Sequence, residues 1–460
     1  MGEATWLIVV AVLGVIALLF LVMRTKLQAF LALILISFIV GLAVGMTPNE
    51  IIETFETGMG ETVAFIAIVI GLGAMFGEIL RVSGGAERLA LTMINKFGEK
   101  RSSWALGIAG LIISIPIFLD VALVILMPIL YTLANKTKKS LLYFGVPLLA
   151  GLLVAHGMIP PTPGPIAASS IIGADLGWVI LFGVLVGVPA MILAGPMFGS
   201  FISKKIHVPV PEAMNEQAAA LADLEEKADA KENQKELPSF ISVLSIILLP
   251  LILMLLNTLA PFILEEGSVL RGILVFIGHP YAALTITTLL TFYIFGTKRG
   301  YSKDEIQQIT TKSLEPAGII ILITGAGGIF GEMLVASGVG DVLASAMEQV
   351  QLPLVVFAFL TAALLRIAVG SVTVAMVTSS SIVAPVISTM SISDPMMAVL
   401  VITIASGAVI APHVSDSGFW MVNRYFGMSV GDTLKSWTVL ATIISLVGFG
   451  LTLILSLFLM

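Results

Sequence analysis

The sequence has no cysteine. Disulfides, thiolate metal sites and cysteine nucleophiles are therefore excluded. Charge is also scarce, at 11% of 460 residues, where a soluble domain carries about 25%. There is no Gly-x-Ser-x-Gly, no Walker A and no His-Glu-x-x-His. The chain is thus not expected to be an enzyme, to hydrolyse ATP itself, or to hold a metal or cofactor. Basic residues form no stripe interleaved with aromatics, which argues against nucleic acid as a partner. Apolar and polar residues do not alternate in segments of about ten, so a membrane barrel is not indicated. The first apolar run, Ala4 to Met23, lacks a basic leading region and a small-x-small cleavage site, and it reads as a retained helix.

What is present is apolar. Hydrophobic residues make up 58% of the chain, and the mean hydropathy is +1.08. Runs long enough for the roughly 30 Å hydrocarbon core recur along the whole length. With no water to satisfy the backbone there, the spans must be helices. The runs are 4–23, 27–46, 61–80, 103–134, 140–175, 177–203, 239–258, 270–296, 316–336, 353–390, 394–430 and 434–459. Four are too long for one plain helix: 103–134, 140–175, 353–390 and 394–430. Each is interrupted near its middle by Pro, Gly and polar residues.

Lysine and arginine orient the spans. Let the N-terminus be outside and let 103–134 and 353–390 be re-entrant hairpins. The cytoplasmic loops 24–26, 81–102, 135–139, 204–238, 297–315 and 424–435 then hold 21 of the 23 basic residues. Arg271 falls outside and Arg366 inside a hairpin. Treating the hairpins as single spans scatters the basic loops over both sides. Both termini are expected on the periplasmic side. Residues 204–238, rich in Ala, Glu and Lys, read as a solvated cytoplasmic linker.

The chain also resembles itself. Gly73-Ala-Met-Phe-Gly-Glu-Ile-Leu-Arg-Val-Ser-Gly84 aligns with Gly327-Gly-Ile-Phe-Gly-Glu-Met-Leu-Val-Ala-Ser-Gly338, with seven of twelve positions identical. A three-residue slip sets Asp120 opposite Ser371 and Pro161 opposite Pro412. The expected fold is an all-α membrane protein of two inverted-topology repeats, 1–203 and 239–460. Each repeat carries a re-entrant hairpin and a broken transmembrane helix. Secondary transporters of this plan bind substrate between the repeats, near the midplane.

Irregular backbone at membrane depth survives only where it is buried or lines a wet cavity. Exposed helix ends there favour an anion. The four interruptions are therefore the candidate site. In hairpin one, Asp120 is a carboxylate in an apolar stretch, either a proton-coupling group or a helix cap. In the first broken span, His156-Gly-Met-Ile-Pro-Pro-Thr-Pro-Gly-Pro165 cannot be a helix interior. Thr162 and the amides near Gly164 are candidate substrate contacts. His156 is either a proton relay or a packing residue. In hairpin two, Ser371 and Thr373 offer hydroxyls beside Gly370. Arg366 clasps a carboxylate, pairs with Asp120 or Asp416, or snorkels to the interface. In the second broken span, Pro412-His-Val-Ser-Asp-Ser-Gly-Phe419 supplies His413, Ser415, Asp416 and Ser417. The serines are expected on substrate, and His413 and Asp416 on substrate or protons. Glu78 and Glu332 hold the same place in both copies and read as interfacial.

Asp120-Val-Ala-Leu-Val-Ile-Leu, Ile159-Pro-Pro-Thr-Pro-Gly-Pro165, Gly370-Ser-Val-Thr-Val-Ala375 and Ser415-Asp-Ser-Gly-Phe-Trp420 resemble the signature stretches of the gluconate permease family. The resemblance runs over essentially the whole chain. It implies a proton symporter of the bacterial inner membrane for gluconate or a related small hydroxy-carboxylate, within a wider group of ion-coupled carriers that commonly dimerise. The sequence departs from the family pattern at Ser415 and Glu78, which bears on substrate preference. A D-serine or other hydroxy-acid permease of the same family, a sodium-coupled carboxylate carrier and an uncoupled channel are the competing readings. Sodium-coupled relatives pair Ser-Asn-Thr runs at both hairpin tips, and hairpin one has Phe118-Leu-Asp120 instead.

Overall fold

The computed structural model describes residues 3–211, 237–349, 351–414 and 416–459. Those residues form helices joined by turns, with no strand among them. Eight helices are long and apolar enough to cross a membrane, or nine if one bent pair counts as a span. The chain is a multi-pass membrane protein. Most of the 204–238 linker expected from composition lies outside the described residues.

Two long helices, Pro48–Val82 and Lys303–Ala336, pack against each other. At 35 and 34 residues they run about 50 Å at 1.5 Å per residue, well beyond the hydrocarbon core. Sequence explains where each begins. Thr47 and Glu50 form a reciprocal capping box at the first, and Ser302 and Glu305 form one at the second. Each ends in the Ser-Gly of the repeated stretch, at Ser83-Gly84 and Ser337-Gly338. Hydropathy had shown only the apolar second part of each, because Glu50, Glu53, Glu56 and Glu61 break up the first turns of one, and Lys303 to Glu315 those of the other.

All four interruptions are present as breaks between helices. Hairpin one is Ser102–Ile113 and Leu119–Thr137, and hairpin two is Leu354–Val369 and Val372–Ser388. The first broken span is Leu141–Met158 and Pro163–Ile172, and the second is Asp394–Ala408 and Ser417–Phe426. Helix caps offer a second way to set the two stretches against each other. The helices after the hairpin tips start from Phe118 and Ser371, so that Asp120 and Thr373 each stand two residues past a cap. The helices after the broken spans start from Thr162 and Asp416. A fifth interruption was not expected. The run 270–296 is two pieces, bent by 68° between Val269–Gly278 and the helix that starts at Pro280. Pro280 has no N–H to continue the first piece, and His279 Nδ1 accepts from the Tyr281 amide to start the second.

Two local devices seat the hairpins. Gly77 lies against the tip of hairpin one so closely that a Cβ there would overlap the Pro116 carbonyl. At the tip of hairpin two, Gly370 takes φ +80° and closes the preceding helix by donating its N–H to the Arg366 carbonyl at 2.9 Å.

Candidate functional site

The four breaks are neighbours in a chain of contacts. The tip of hairpin one and break one line a shared small cleft, with Pro116 and Phe118 facing Pro161 and Thr162. Break one meets hairpin two where Gly164 abuts Met376: a Cβ on Gly164 would sit 2.8 Å from the Met376 sulfur. Hairpin two joins break two through Arg366 and Asp416, whose Nη2 and Oδ2 are 2.9 Å apart. His413 Nε2 donates to the Ile367 carbonyl at 2.9 Å, a second tie between the same two elements. His156, one turn before break one, is close enough to Asp120 and Asp416 to feel both charges.

Of the three readings open for Arg366, the structure pairs it with Asp416. The side chain is 2% exposed, which rules out snorkelling to the interface. Its Nε and Nη1 are buried and have no hydrogen-bond partner among the described residues. Asp416 holds two donors at once. Oδ2 takes Arg366, and Oδ1 accepts from the Gly418 amide at 3.0 Å, so the carboxylate caps the helix Ser417–Phe426. A buried guanidinium and carboxylate in contact offset each other's desolvation, but three of the five guanidinium hydrogens stay unpaired on Nε and Nη1.

Break one is buried and proline-rich. Thr162 is buried, and its hydroxyl donates to the Ile159 carbonyl at 2.6 Å, leaving its lone pairs as acceptors. Pro163 and Pro165 have no N–H, and the Ile166 amide donates to the Thr162 carbonyl at 3.3 Å. Gly164 is therefore the one residue of that first turn whose amide has no place in the helix ladder. In hairpin two, Ser371 Oγ accepts from the Val374 amide at 3.4 Å as a cap, and Thr373 is half-buried beside it. Ser417 is exposed. Ser415 lies outside the described residues. The His156 Nδ1 is buried without a partner among the described residues. Asp120 is exposed in the first turn of Leu119–Thr137, opening on a cavity.

That cavity, of about 610 Å³, lies between hairpin one, the two long helices and the helix of break two. Glu78, Arg81, Asp120, Lys312 and Tyr425 line it. Arg81 grips Glu78 through both Nε and Nη2. Glu78 is thus a paired wall residue rather than a freely solvated one. Lys312 was missed in the sequence because its place on a cavity wall depends on where the long helices cross. Glu332, which aligns with Glu78 in the sequence, lines a separate cavity of about 490 Å³ with Glu50 and Glu53 and no basic side chain. The two cavities are therefore electrostatically unlike, mixed on one side and acidic on the other.

A family model described as GntP family permease matches residues 6–458. The chain belongs to the GntP permease family. The gluconate permease of Pseudomonas aeruginosa is 39% identical over 457 residues, covering 99% of each chain. The low-affinity gluconate transporter of Escherichia coli K12 is 40% identical over 442 residues, covering 96% of each. These relatives are named as permeases or transporters, not enzymes. Among solved structures, the YdaH transporter of Alcanivorax borkumensis, described as having an unusual topology, aligns with a TM-score of 0.57 over 88% of each chain. At 14% identity that likeness concerns the fold alone. The GntP assignment agrees with the resemblance read from the motifs at breaks one and two and at the hairpin tips.

Proposed function

We propose that this permease imports gluconate or a closely related sugar acid across the bacterial inner membrane, coupled to protons, by alternating access. The observation that carries the reading is one buried, incompletely paired arginine where hairpin two meets break two, in a chain of contacts that links all four breaks. A guanidinium with free hydrogens, on elements that also carry hydroxyls, suits a ligand with a carboxylate at one end and hydroxyls along its length. Arg366 holds the carboxylate. Thr162, the Gly164 amide, Ser371, Thr373, His413, Ser415 and Ser417 meet the hydroxyls. Asp120, His156 and Asp416 are the groups through which a proton passes. The names of the relatives favour gluconate within this class.

The matched order of elements in 1–203 and 239–460 supports two inverted repeats. In the orientation read from the basic residues, both termini are periplasmic, and the cavity containing Arg81 and Lys312 opens to the cytoplasm. The reading keeps the homodimer that the resemblance implies.

Counterflow of radiolabelled gluconate into proteoliposomes tests the function. The account expects saturable uptake, competition by other sugar acids, and accumulation when the lumen is made alkaline. Uptake that ignores a pH gradient and follows sodium removes the proton from the account. Uptake that never saturates favours a channel. D-serine or glycerate competing where gluconate does not moves the substrate within the family.

A further inference from the structure

Arg366 and Asp416 form a neutral buried pair: one cation, one anion, 2.9 Å apart, with side chains 2% and 10% exposed. Asp416 engages Nη2 through one oxygen, while its other oxygen is held by the Gly418 amide. A guanidinium grips a carboxylate bidentately along an edge, and both edges that face outward include Nη2. A substrate carboxylate clasped by Arg366 therefore shares Nη2 with Asp416. The unpartnered Nε and Nη1 supply the second hydrogen of either edge.

We infer that the substrate carboxylate and Asp416 share the Arg366 guanidinium, so that substrate arrival is what loads the coupling proton, and loads it on Asp416. This rests on the carboxylate site proposed above and goes beyond it by naming the group and the trigger. The charge balance drives it. Before binding, the pair is neutral. A second carboxylate makes the buried cluster net negative, which a low-dielectric site resists. One proton restores neutrality, and the carboxylate in direct contact with the arginine is the one that competes with the ligand.

The groups facing Asp416 are Arg366 from hairpin two, His413 from its own loop and His156 from the first broken span. Asp120 joins them through its charge interaction with His156. His413 is tied to the Ile367 carbonyl through Nε2. His156 is assigned the relay and not the storage of the proton, its Nδ1 being buried without a hydrogen-bond partner among the described residues. In the loaded state Asp416 is a neutral acid that donates to, or lies beside, the ligand carboxylate. On release of the ligand, Asp416 gives up the proton and returns to Arg366. Only O–H bonds, and N–H on His156 while it relays, are made and broken.

The test is calorimetric titration of the full-length wild-type protein with gluconate, in buffers of different ionisation enthalpy across neutral pH. The result expected is close to one proton taken up per gluconate bound, with apparent Kd weakening about tenfold per pH unit. Asp416→Asn, which mimics the neutral acid, should bind gluconate with no proton uptake and a flat pH profile. His156→Gln should keep the uptake stoichiometry. Gluconate binding to wild type without proton uptake overturns the inference and leaves the carboxylate site standing. So does proton uptake that persists in Asp416→Asn or disappears in His156→Gln. No binding of any sugar acid to wild type overturns the site reading beneath it. The wild-type stoichiometry stands as the test even if Asp416→Asn fails to fold.

Discussion

Arg366→Met should be one of the more damaging single changes in this protein. It leaves the Asp416 carboxylate 10% exposed, with the Gly418 amide as its one remaining donor among the described contacts. Removing one member of a buried ion pair costs about 3–5 kcal/mol, most of it from stranding the other charge. Asp416→Leu should cost a similar amount, since it strands a guanidinium whose Nε and Nη1 are already unpartnered. The double variant Arg366→Met with Asp416→Leu strands nothing. Its cost should fall short of the sum of the single changes by at least about 3 kcal/mol. Equilibrium unfolding in mixed detergent micelles, run as a double-mutant cycle, reads this directly. All three variants should lose transport, so stability recovers in the double variant while function does not. Costs that simply add would refute the reasoning, because they would mean the two side chains do not share an environment.

Other positions give sharper local tests. Gly77→Ala places a methyl on the Pro116 carbonyl at the seat of hairpin one, and should cost about 1–3 kcal/mol with loss of uptake. Wild-type thermal stability of that variant would contradict the seat. Gly370→Ala forces a side chain into φ +80° and should cost about 1–2 kcal/mol, measured in the same unfolding assay. Tyr131→Phe removes the hydroxyl that donates to the Tyr425 carbonyl at 2.7 Å and ties hairpin one to break two; about 1 kcal/mol of stability should go with it. Glu99→Gln, at an exposed pair with Lys136, should change neither melting temperature nor uptake, because solvent screens that contact.

Much of this architecture is legible in local sequence. The proline run from Pro160 to Pro165 announces break one, since a helix interior tolerates none of it. The capping residues Thr47 with Glu50 and Ser302 with Glu305 mark the starts of the long helices once one looks upstream of the apolar runs. The bend at His279 also had a signal, in Gly278-His-Pro280, but it sits in a run whose hydropathy looks like one span. Contacts set by packing between distant segments were not legible. Arg366 and Asp416 lie fifty residues apart, and the sequence left Arg366 three roles. Asp120 reads as a carboxylate in an apolar stretch, and only the fold shows the cavity beside it, which Lys312 and Tyr425 line from far along the chain. The hydroxyl of Thr162 reads as a ligand contact, and only the fold shows its hydrogen already given to Ile159.

The most direct measurement is an experimental structure with gluconate bound, at a resolution that places the carboxylate. The account predicts that carboxylate on the Arg366 guanidinium, sharing it with Asp416, with the sugar hydroxyls between Thr162, Ser371 and Thr373. Gluconate held instead by Arg81 and Lys312 in the wider cavity, with Arg366 still paired to Asp416 alone, would contradict it.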